Sequence, residues 1–414
     1  MDAGTLIVGA SQAGLQVAVS LRELGDTGPI TLVGAEAHPP YQRPPLSKEY
    51  LSGTADGNTL AFRAPSFYAD QAIDLVCGQR VEQVTLSADG SGRASTSSGQ
   101  ELRFDRLALT TGAEPRRLSV PGADLDGICY LRDLDDARHL RTRLAEARRV
   151  VVVGGGFVGL EAAAVARARG LEVTVVEALD RLIARAVAPV VSAFYKQAHE
   201  RRGTTVLLGT GVVGFRGEAG KVSAVVLTDG TELPADLVMV GVGVVPRTEL
   251  AEQIGLECDG GIVVDRYART SNEAVVAAGD CTVLPHPVTG EGRVRLESVN
   301  NAVTQAATAA ASLMGKLEVA PNVPWFWSNQ GDLRLQIAGL AAGFDDYVVR
   351  GDPDSEKFSV LYYRDGRLLA VDAVNAPGDY MVVRKALTQG TSIPAERAAD
   401  ASTPLKQLLL AAAA

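Results

Sequence analysis

At Gly9-Ala10-Ser11-Gln12-Ala13-Gly14 the chain carries a glycine-rich loop, and a second one lies at Gly154-Gly155-Gly156-Phe157-Val158-Gly159. Each loop follows an apolar stretch that predicts a strand, residues 5–8 or 150–153, and opens an alanine-rich stretch that predicts a helix. Strand, glycine loop and helix in this order are typical of dinucleotide-binding units, in which the helix N-terminus faces the pyrophosphate. Two such loops predict two nucleotides in one chain, which usually serves hydride transfer between them.

A carboxylate after the second strand of each unit is expected to accept hydrogen bonds from the ribose hydroxyls of its nucleotide. Glu177 has this position in the second unit, close to the usual spacing of about 20 residues from the first glycine. Glu36 is the candidate in the first unit, where the spacing is looser and Ser11 replaces the middle glycine. The alternative at either loop is a plain strand–helix turn that binds no ligand.

The composition excludes several functional classes. A net charge of −9 without a basic tract argues against non-specific nucleic-acid binding. We find neither a charged-then-apolar leader nor an apolar run of roughly 18 residues, so we expect a cytoplasmic protein without a membrane partner. The cysteines lack metal-ligand spacing and predict reduced thiols and no metal site; they are Cys77, Cys129, Cys258 and Cys281.

The pattern along the chain predicts an α/β fold with two Rossmann-like dinucleotide-binding domains and a C-terminal α+β domain. The first domain is discontinuous and comprises residues 1–115 and 247–322, the second comprises 116–246, and the third comprises 323–414. We expect the proline-rich residues 38–47 to lack regular structure. Residues 102–111 are expected to form one buried strand.

Gly279 and Asp280 follow a further apolar run, residues 273–278. An aspartate at this position suits two roles. It is able to cap a following helix, or to accept hydrogen bonds from the polyhydroxy side chain of a flavin. The residues alone leave both interpretations open.

Three longer motifs are more specific than a glycine loop: Pro40-Tyr41-Gln42-Arg43-Pro44-Pro45-Leu46-Ser47-Lys48, Glu297-Ser298-Val299-Asn300-Asn301-Ala302 and Pro324-Trp325-Phe326-Trp327-Ser328-Asn329-Gln330. With the two loops they resemble the two-dinucleotide-binding flavoproteins related to glutathione reductase. Within that superfamily the chain is similar to the ferredoxin reductases of bacterial cytochrome P450 and aromatic-ring dioxygenase systems. The resemblance covers nearly the full chain and implies that the first domain binds FAD and the second binds NADH.

The resemblance also implies the residues that contact each cofactor. For FAD they are Gly9, Ser11, Ala13, Gly14, Glu36, Arg43, Pro45, Lys48, Val81, Thr111, Gly112, Arg132, Gly279, Asp280, Glu297, Ser298, Val299 and Trp327. For NADH they are Gly154, Gly156, Phe157, Val158, Gly159, Glu161, Glu177 and Gly243. The chain departs from the usual family residues at Ala35, Thr110, Arg247 and Asn329.

Three of these residues are implied to act in catalysis. Lys48 would lie at the reactive edge of the flavin, Glu161 near the nicotinamide, and Trp327 beside the flavin where electrons leave. Each has a simpler alternative. Lys48 would be a solvated surface charge, Glu161 a carboxylate that complements a helix dipole, and Trp327 part of a packing patch.

The electron path is inferred from thiols that are missing. Disulfide reductases of the superfamily carry two closely spaced cysteines after the first βαβ unit, whereas residues 44–48 contain none and Cys77 is the first cysteine. Electrons must therefore leave for an external acceptor. Because flavins release electrons singly and the chain lacks spacing for its own cluster, we expect the acceptor to be a separate small ferredoxin. The resemblance implies a [2Fe-2S] ferredoxin that supplies a P450 or a ring-hydroxylating oxygenase.

The sequence thus predicts an FAD-dependent NADH:ferredoxin oxidoreductase, a monomer or weak dimer. Two alternatives stay open. One is reduction of rubredoxin, a quinone or another small oxidant. The other is a redox-sensing interaction protein that resembles apoptosis-inducing factor, in which NADH binding changes the choice of partner.

Overall fold

The structure is a computed structural model that describes residues 3–287, 290, 292–319 and 322–413. Its helices, numbered in chain order, are α1 Gln12–Glu23, α2 Glu49–Ser52, α3 Pro65–Asp70, α4 Leu134–Glu146, α5 Phe157–Ala168, α6 Pro189–Arg201, α7 Glu249–Gln253, α8 Val299–Leu313, α9 Pro377–Thr388, α10 Ala395–Ala399 and α11 Leu405–Ala413. Short 3₁₀ turns lie at Pro44–Ser47, Gly57–Leu60 and Pro353–Ser355. None of the described helices is long and apolar enough to cross a membrane.

The strands follow the same numbering. They are β1 Thr5–Val8, β2 Ile30–Val33, β3 Ile73–Val76, β4 Val81–Leu86, β5 Gly92–Thr96, β6 Glu101–Phe104, β7 Arg106–Leu109, β8 Ala113–Pro115, β9 Ile128–Tyr130, β10 Arg149–Val153, β11 Glu172–Val176, β12 Thr205–Leu207, β13 Val212–Glu218, β14 Lys221–Leu227, β15 Glu232–Pro234, β16 Leu237–Val240, β17 Val244–Pro246, β18 Ile262–Val263, β19 Val275–Ala277, β20 Thr282–Pro285, β21 Arg293–Val294, β22 Trp325–Gln330, β23 Leu333–Gly339, β24 Asp346–Asp352, β25 Lys357–Arg364 and β26 Arg367–Val374.

The first compact unit comprises Met1–Gln42, Asn58–Glu114 and Val245–Pro324. Its centre is a parallel sheet of strand order β19-β7-β1-β2-β3. Alternate residues of β1 point to opposite faces. Ile7 therefore packs with α1 and α8, whereas Leu6 and Val8 pack with the small antiparallel sheet β4-β5-β6. A strand that is covered on both faces reads as a continuous apolar run, as β1 does.

The second compact unit comprises Arg43–Gly57, Pro115–Val244 and Trp325–Ala414. It contains a parallel sheet of order β12-β11-β10-β16-β9 and an antiparallel sheet of order β22-β23-β26-β25-β24. Strand β10 alternates in the same way as β1. Val150 and Val152 belong to one core with α4, α5, α6 and the antiparallel sheet, whereas Val151 and Val153 pack with β13 and β14.

The predicted α/β fold is confirmed, because each glycine loop follows a strand of a parallel sheet and the C-terminal region forms an antiparallel sheet with helices. The domain ranges 1–115 with 247–322, 116–246 and 323–414 stay a prediction. The structure groups Arg43–Gly57 with the second unit, so this short segment is tied to residues far from it in sequence.

Two local predictions were wrong. The proline-rich segment contains a regular 3₁₀ turn at Pro44–Ser47, where proline already has the backbone φ of a helical turn. Residues 102–111 form two strands rather than one, β6 and β7, in different sheets. Asp105 separates them because its carboxylate accepts hydrogen bonds from the backbone N–H groups of Ala3 and Gly4, at 2.7 and 2.9 Å.

A carboxylate lies at the centre of the C-terminal sheet. Asp372 on β26 is fully buried, and its Oδ2 accepts a hydrogen bond from the Tyr362 hydroxyl. Its Oδ1 has no partner among the described residues. Burial raises the pKa of Asp372 to about 7, against a lowering by the Tyr362 hydrogen bond, because the charged form is penalised in an apolar interior.

This burial predicts a pH-dependent stability. An unfolded aspartate releases its proton near pH 4, so between about pH 4 and 7 the folded protein binds more protons than the unfolded chain, and stability falls as the pH rises. Asp372→Asn cannot ionise and still accepts from Tyr362. We expect the melting temperature of this variant, measured relative to that of the parent, to be higher at pH 8 than at pH 5. Exposed Asp354→Asn is the control, and an equal difference at both pH values would contradict the prediction.

Candidate functional site

The first glycine loop is closed by contacts that only glycine permits. Gly9 has φ +119°, and a Cβ on Gly14 would lie 2.0 Å from the Gly9 carbonyl oxygen. The Thr110 hydroxyl donates to the carbonyls of Val8 and Gly9, at 3.0 and 2.9 Å. Thr110, a departure from the family residue, therefore supports the loop rather than disturbing it.

The second glycine loop repeats this geometry. Gly154 has φ +106°, and a Cβ on Gly159 would lie 2.4 Å from the Gly154 carbonyl oxygen, which brings α5 close to the end of β10. Gly156 is the N-cap residue of α5, and a Cβ added to it would meet no atom within 4 Å. Backbone N–H groups at this helix N-terminus are thus open to a pyrophosphate, and the loop fits the nucleotide that the sequence predicts.

Glu177 follows β11 and lies against the second loop. Its carboxylate accepts hydrogen bonds from the N–H groups of Gly155 and Leu179, at 2.6 and 2.8 Å. This places a negative charge beside the loop, as expected for a ligand of the ribose. The Arg181 guanidinium, which follows closely in sequence, donates to the Ala184 and Val187 carbonyls.

Arg185 is the second arginine near this loop. It is exposed, and its Nη2 lies 3.4 Å from the position that a Cβ on Gly243 would take. Gly243 has φ +98° and is one of the predicted NADH contacts. Arg185 therefore lies beside one of the predicted NADH contacts.

In the first unit, the segment after β2 explains the looser spacing of Glu36. Gly34 approaches the glycine loop so closely that its Cβ would lie 2.6 Å from that of Ala10. Glu36 then follows Ala35, and its carboxylate accepts a hydrogen bond from the Tyr41 hydroxyl at 2.5 Å. The carboxylate thus lies three residues beyond the end of β2, beside Tyr41.

The Gly279-Asp280 segment leads into a strand. Because β20 begins at Thr282, Asp280 caps no helix, and that alternative is wrong. The segment is held from α8, where Gln305 accepts hydrogen bonds from the Gly279 N–H and the Thr282 hydroxyl, at 2.8 and 2.9 Å. Gln305 escaped the sequence analysis because nothing in its own neighbourhood marks it.

Side chains of the motif at residues 297–302 have structural partners. Ser298 is the N-cap of α8 and accepts from the Asn301 N–H at 3.1 Å, and Val299 begins the helix. Glu297 forms an ion pair with Arg295 at 2.8 Å. The motif therefore presents the N-terminus of α8, with its positive dipole end, in the first unit.

In the second unit, Lys48 and Glu161 form an ion pair. Lys48 Nζ lies 2.7 Å from Glu161 Oε2, and the side chains are only 11% and 3% exposed. Lys48 is therefore not a solvated surface charge. Glu161 lies beyond the first turn of α5, where a carboxylate complements the dipole little, so this alternative fails as well.

Two serines that sequence reasoning missed complete the surroundings of Glu161. Ser47 Oγ donates to Oε2 at 2.5 Å, and Ser328 Oγ donates to Oε1 at 2.6 Å. Both carboxylate oxygens are thus hydrogen-bonded, which offsets the burial of a charge. Ser47 was within reach of the analysis because it adjoins Lys48, whereas Ser328 required the fold.

The aromatic motif packs on the second glycine loop. Phe326 lies 4.6 Å from Phe157, ring centroid to ring centroid, and Trp325 stacks on Trp327 at 5.5 Å. The Arg384 guanidinium lies 5.2 Å from the Trp325 ring centroid, at a distance typical of cation–π contacts. Trp327 therefore does belong to an aromatic packing patch, and its place beside the flavin stays a prediction.

The predicted residues divide between the two units. The first unit holds the FAD candidates Gly9, Ser11, Ala13, Gly14, Glu36, Val81, Thr111, Gly112, Gly279, Asp280, Glu297, Ser298 and Val299. The second unit holds the FAD candidates Arg43, Pro45, Lys48, Arg132 and Trp327, and all NADH candidates. There the Arg43 guanidinium donates to the Arg132 carbonyl at 2.8 Å, which brings two of them together.

The described residues contain no cluster of three or more metal-ligating side chains. Burial raises the pKa of Cys129 to about 11 and also raises the pKa values of the Cys77, Cys258 and Cys281 thiols. The predicted unpaired thiols are thus present as protonated groups. None is suited to attack a disulfide at neutral pH.

Two glycine loops on parallel sheets, each followed by a carboxylate, define the class of two-dinucleotide-binding flavoproteins. The chain belongs to the pyridine nucleotide-disulphide oxidoreductase family, which it matches over residues 4–306. Residues 325–409 match the reductase C-terminal family.

Relatives cover almost the whole chain. Rhodocoxin reductase of Rhodococcus erythropolis is 46% identical over 97% of this chain and 93% of its own length. The crystal structure of the ferredoxin reductase for the CYP199A2 system from Rhodopseudomonas palustris superposes with a TM-score of 0.94, at 44% identity over 99% of this chain and 100% of that one. The covalent putidaredoxin reductase–putidaredoxin complex superposes with a TM-score of 0.94, at 40% identity over 99% of both chains.

These matches confirm the resemblance that the sequence motifs indicated, and the fold with it. The predicted FAD-dependent oxidoreductase that uses a pyridine nucleotide is also confirmed. The roles of the individual site residues stay predictions.

Two of the four glycines of the second loop, Gly156 and Gly159, predict different effects of one added methyl group. Gly156→Ala meets open space, so we expect it to cost about 1 kcal/mol or less of stability while it weakens NADH binding about tenfold, because the methyl enters the approach to the pyrophosphate. In Gly159→Ala the added methyl group would clash with the Gly154 carbonyl oxygen, so we expect the main effect of this variant to be a lower melting temperature.

Melting temperatures and NADH dissociation constants of the holoprotein check both expectations. Gly378→Ala, another glycine near a helix N-terminus with open space around its Cβ, is the matched control. Unchanged NADH affinity in Gly156→Ala would show that the pyrophosphate lies elsewhere.

Proposed function

We propose that the protein passes electrons from NADH, through bound FAD, to a [2Fe-2S] ferredoxin that supplies a cytochrome P450 or a ring-hydroxylating oxygenase. The proposal includes a cytoplasmic location and a monomer or weak dimer. The relatives support a ferredoxin as the electron acceptor. Their names describe reductases for rhodocoxin, for putidaredoxin and for the ferredoxin of a CYP system.

The observation that carries the proposal is the position of Lys48. Residues 44–48 lead into α2 without a cysteine, and Lys48 is engaged in a buried ion pair there. The described thiols have raised pKa values and supply no nucleophilic pair. A chain without a thiol relay must deliver electrons to a separate acceptor.

Bound FAD would supply the ability to accept a hydride and release electrons one at a time. The chain's own residues bind and orient. The two glycine loops present helix N-termini to the pyrophosphates, and Glu177 accepts from the ribose of NADH. Lys48, held by Glu161, keeps a positive charge in place where the resemblance puts the flavin edge, which favours reduced, anionic flavin.

Steady-state turnover tests the function. With NADH as donor, cytochrome c reduction should depend strongly on added [2Fe-2S] ferredoxin, because the chain has no cluster of its own. Reduction of ferricyanide, a small oxidant that needs no protein docking surface, is the control that shows that the flavin accepts electrons from NADH. Ferredoxin-independent turnover with rubredoxin or a quinone would favour the small-oxidant alternative. A long-lived complex of reduced flavin with NAD⁺ and negligible turnover would favour the sensor.

The nucleotide preference tests the second loop. Glu177 would repel the 2′-phosphate of NADPH, so we expect kcat/KM to be higher for NADH. Glu177→Ala should narrow this preference mainly by raising KM for NADH. Glu172→Ala, at the exposed start of the same strand, is the matched control. Equal kcat/KM for the two nucleotides in the parent protein would show that Glu177 does not occupy the ribose position.

A further inference from the structure

A chain of buried polar side chains runs from Glu161 to a histidine on another helix. Ser328 Oγ donates to Glu161 Oε1 at 2.6 Å, and Gln330 Nε2 donates to Ser328 Oγ at 3.3 Å. Gln330 Oε1 lies 2.8 Å from His199 Nε2. All four residues are buried, at most 3% exposed, and all belong to the second unit.

The strand explains why Ser328 and Gln330 point inward together. They are alternate residues of β22, and alternate side chains share one face of a strand. Phe326, on the same strand, packs against Phe157 of α5. Two polar residues on a buried face are costly unless hydrogen-bonded, so their partners on α5 and α6 account for their presence.

The hydrogen bonds that link these four side chains all run in one direction, from His199 as first donor to Glu161 as last acceptor. Gln330 Oε1 only accepts, so His199 Nε2 must carry the proton that it receives. Burial lowers the pKa of His199, so the ring is neutral and its single N–H is spent on Gln330. The Gln330 amide is then oriented with Nε2 toward Ser328, whose one hydroxyl proton is left for Glu161.

We propose that His199 is a positioning residue for the Lys48–Glu161 pair, acting through Gln330 and Ser328. The inference rests on the proposed function, in which this pair serves the flavin. With the histidine removed, the Gln330 amide is free to turn its oxygen toward Ser328 and draw the hydroxyl proton away. Glu161 Oε1 would then face an oxygen lone pair, and the carboxylate that holds Lys48 would lose its anchor on one side.

The residues that neighbour these four hydrogen-bonded side chains are consistent with this direction. Tyr195, on α6 like His199, has a pKa raised by burial and by the negative charges of Asp372 and Glu161. Its hydroxyl has no hydrogen-bond partner among the described residues, so it does not compete for Glu161. Arg202 follows α6 and engages Asp332 and Glu356 instead.

The tautomer of His199 is the first test, and it is independent of catalysis. The sequence contains only four histidines, so ¹⁵N-histidine labelling of the holoprotein gives few signals, and His199→Gln identifies the signal that disappears. We expect the Nε2–H tautomer. An Nδ1–H tautomer would leave Nε2 as an acceptor, turn the Gln330 amide around and draw the Ser328 hydroxyl proton away from Glu161. This result would overturn the proposal, whether or not the protein reduces a ferredoxin.

The second test is a double-mutant cycle on the rate of flavin reduction by saturating NADH, a step that involves no ferredoxin. Ser328→Ala and His199→Leu should each lower this rate about tenfold, the effect of one hydrogen bond to a charged group, with little change in KM for NADH. Because they remove the same hydrogen bond, the double variant should be no slower than the slower single variant.

A conservative variant separates positioning from loss of packing. The amide N–H of His199→Gln is able to replace the imidazole donor, so this variant should keep the rate within about twofold of the parent. Tyr195→Phe, which removes a buried hydroxyl from the same helix outside the chain, is the matched control and should leave the rate unchanged. Additive losses, or an equal loss in His199→Gln and His199→Leu at similar melting temperatures, would overturn the proposal.

Discussion

The ion pair between Lys48 and Glu161, together with the serines that donate to its carboxylate, joins three segments of the second unit that are distant in sequence. Burying two charges costs several kcal/mol per ion unless the remaining oxygens and protons find partners, and here Ser47 and Ser328 supply them. Removing one member of such a pair typically costs about 3–5 kcal/mol, because an uncompensated charge stays behind. The segment Arg43–Gly57 therefore groups with the second unit although it lies between residues of the first.

Local features of the fold were predictable because their causes are local. The strand predicted at residues 5–8 matches the structure at both ends, and the one predicted at residues 150–153 begins one residue earlier, since a parallel strand buried on both faces reads as an uninterrupted apolar run. The glycine loops were predictable for a similar reason. Positive φ at Gly9 and Gly154, and carbonyl contacts at Gly14 and Gly159, tolerate no other residue.

The supporting residues of the site were not predictable, because their partners are distant in sequence. Ser328 is 167 positions from Glu161, and Gln330 is 131 from His199, so no spacing rule links them. A buried serine or glutamine has no local signature that separates it from a surface one. The break between strands at Asp105 was missed for the same reason, since its partners, Ala3 and Gly4, lie 102 and 101 positions away in sequence.

The protonated state of the thiols has a consequence for the sensitivity of the protein to oxidation. Peroxide oxidises the thiolate form of cysteine, and access to the sulfur is the second requirement. Cys129 and Cys281 are buried, and burial raises the pKa of all four thiols, most clearly that of Cys129 to about 11. A flavoprotein that leaks electrons to oxygen generates its own oxidant, and this protein offers that oxidant little cysteine thiolate with which to react.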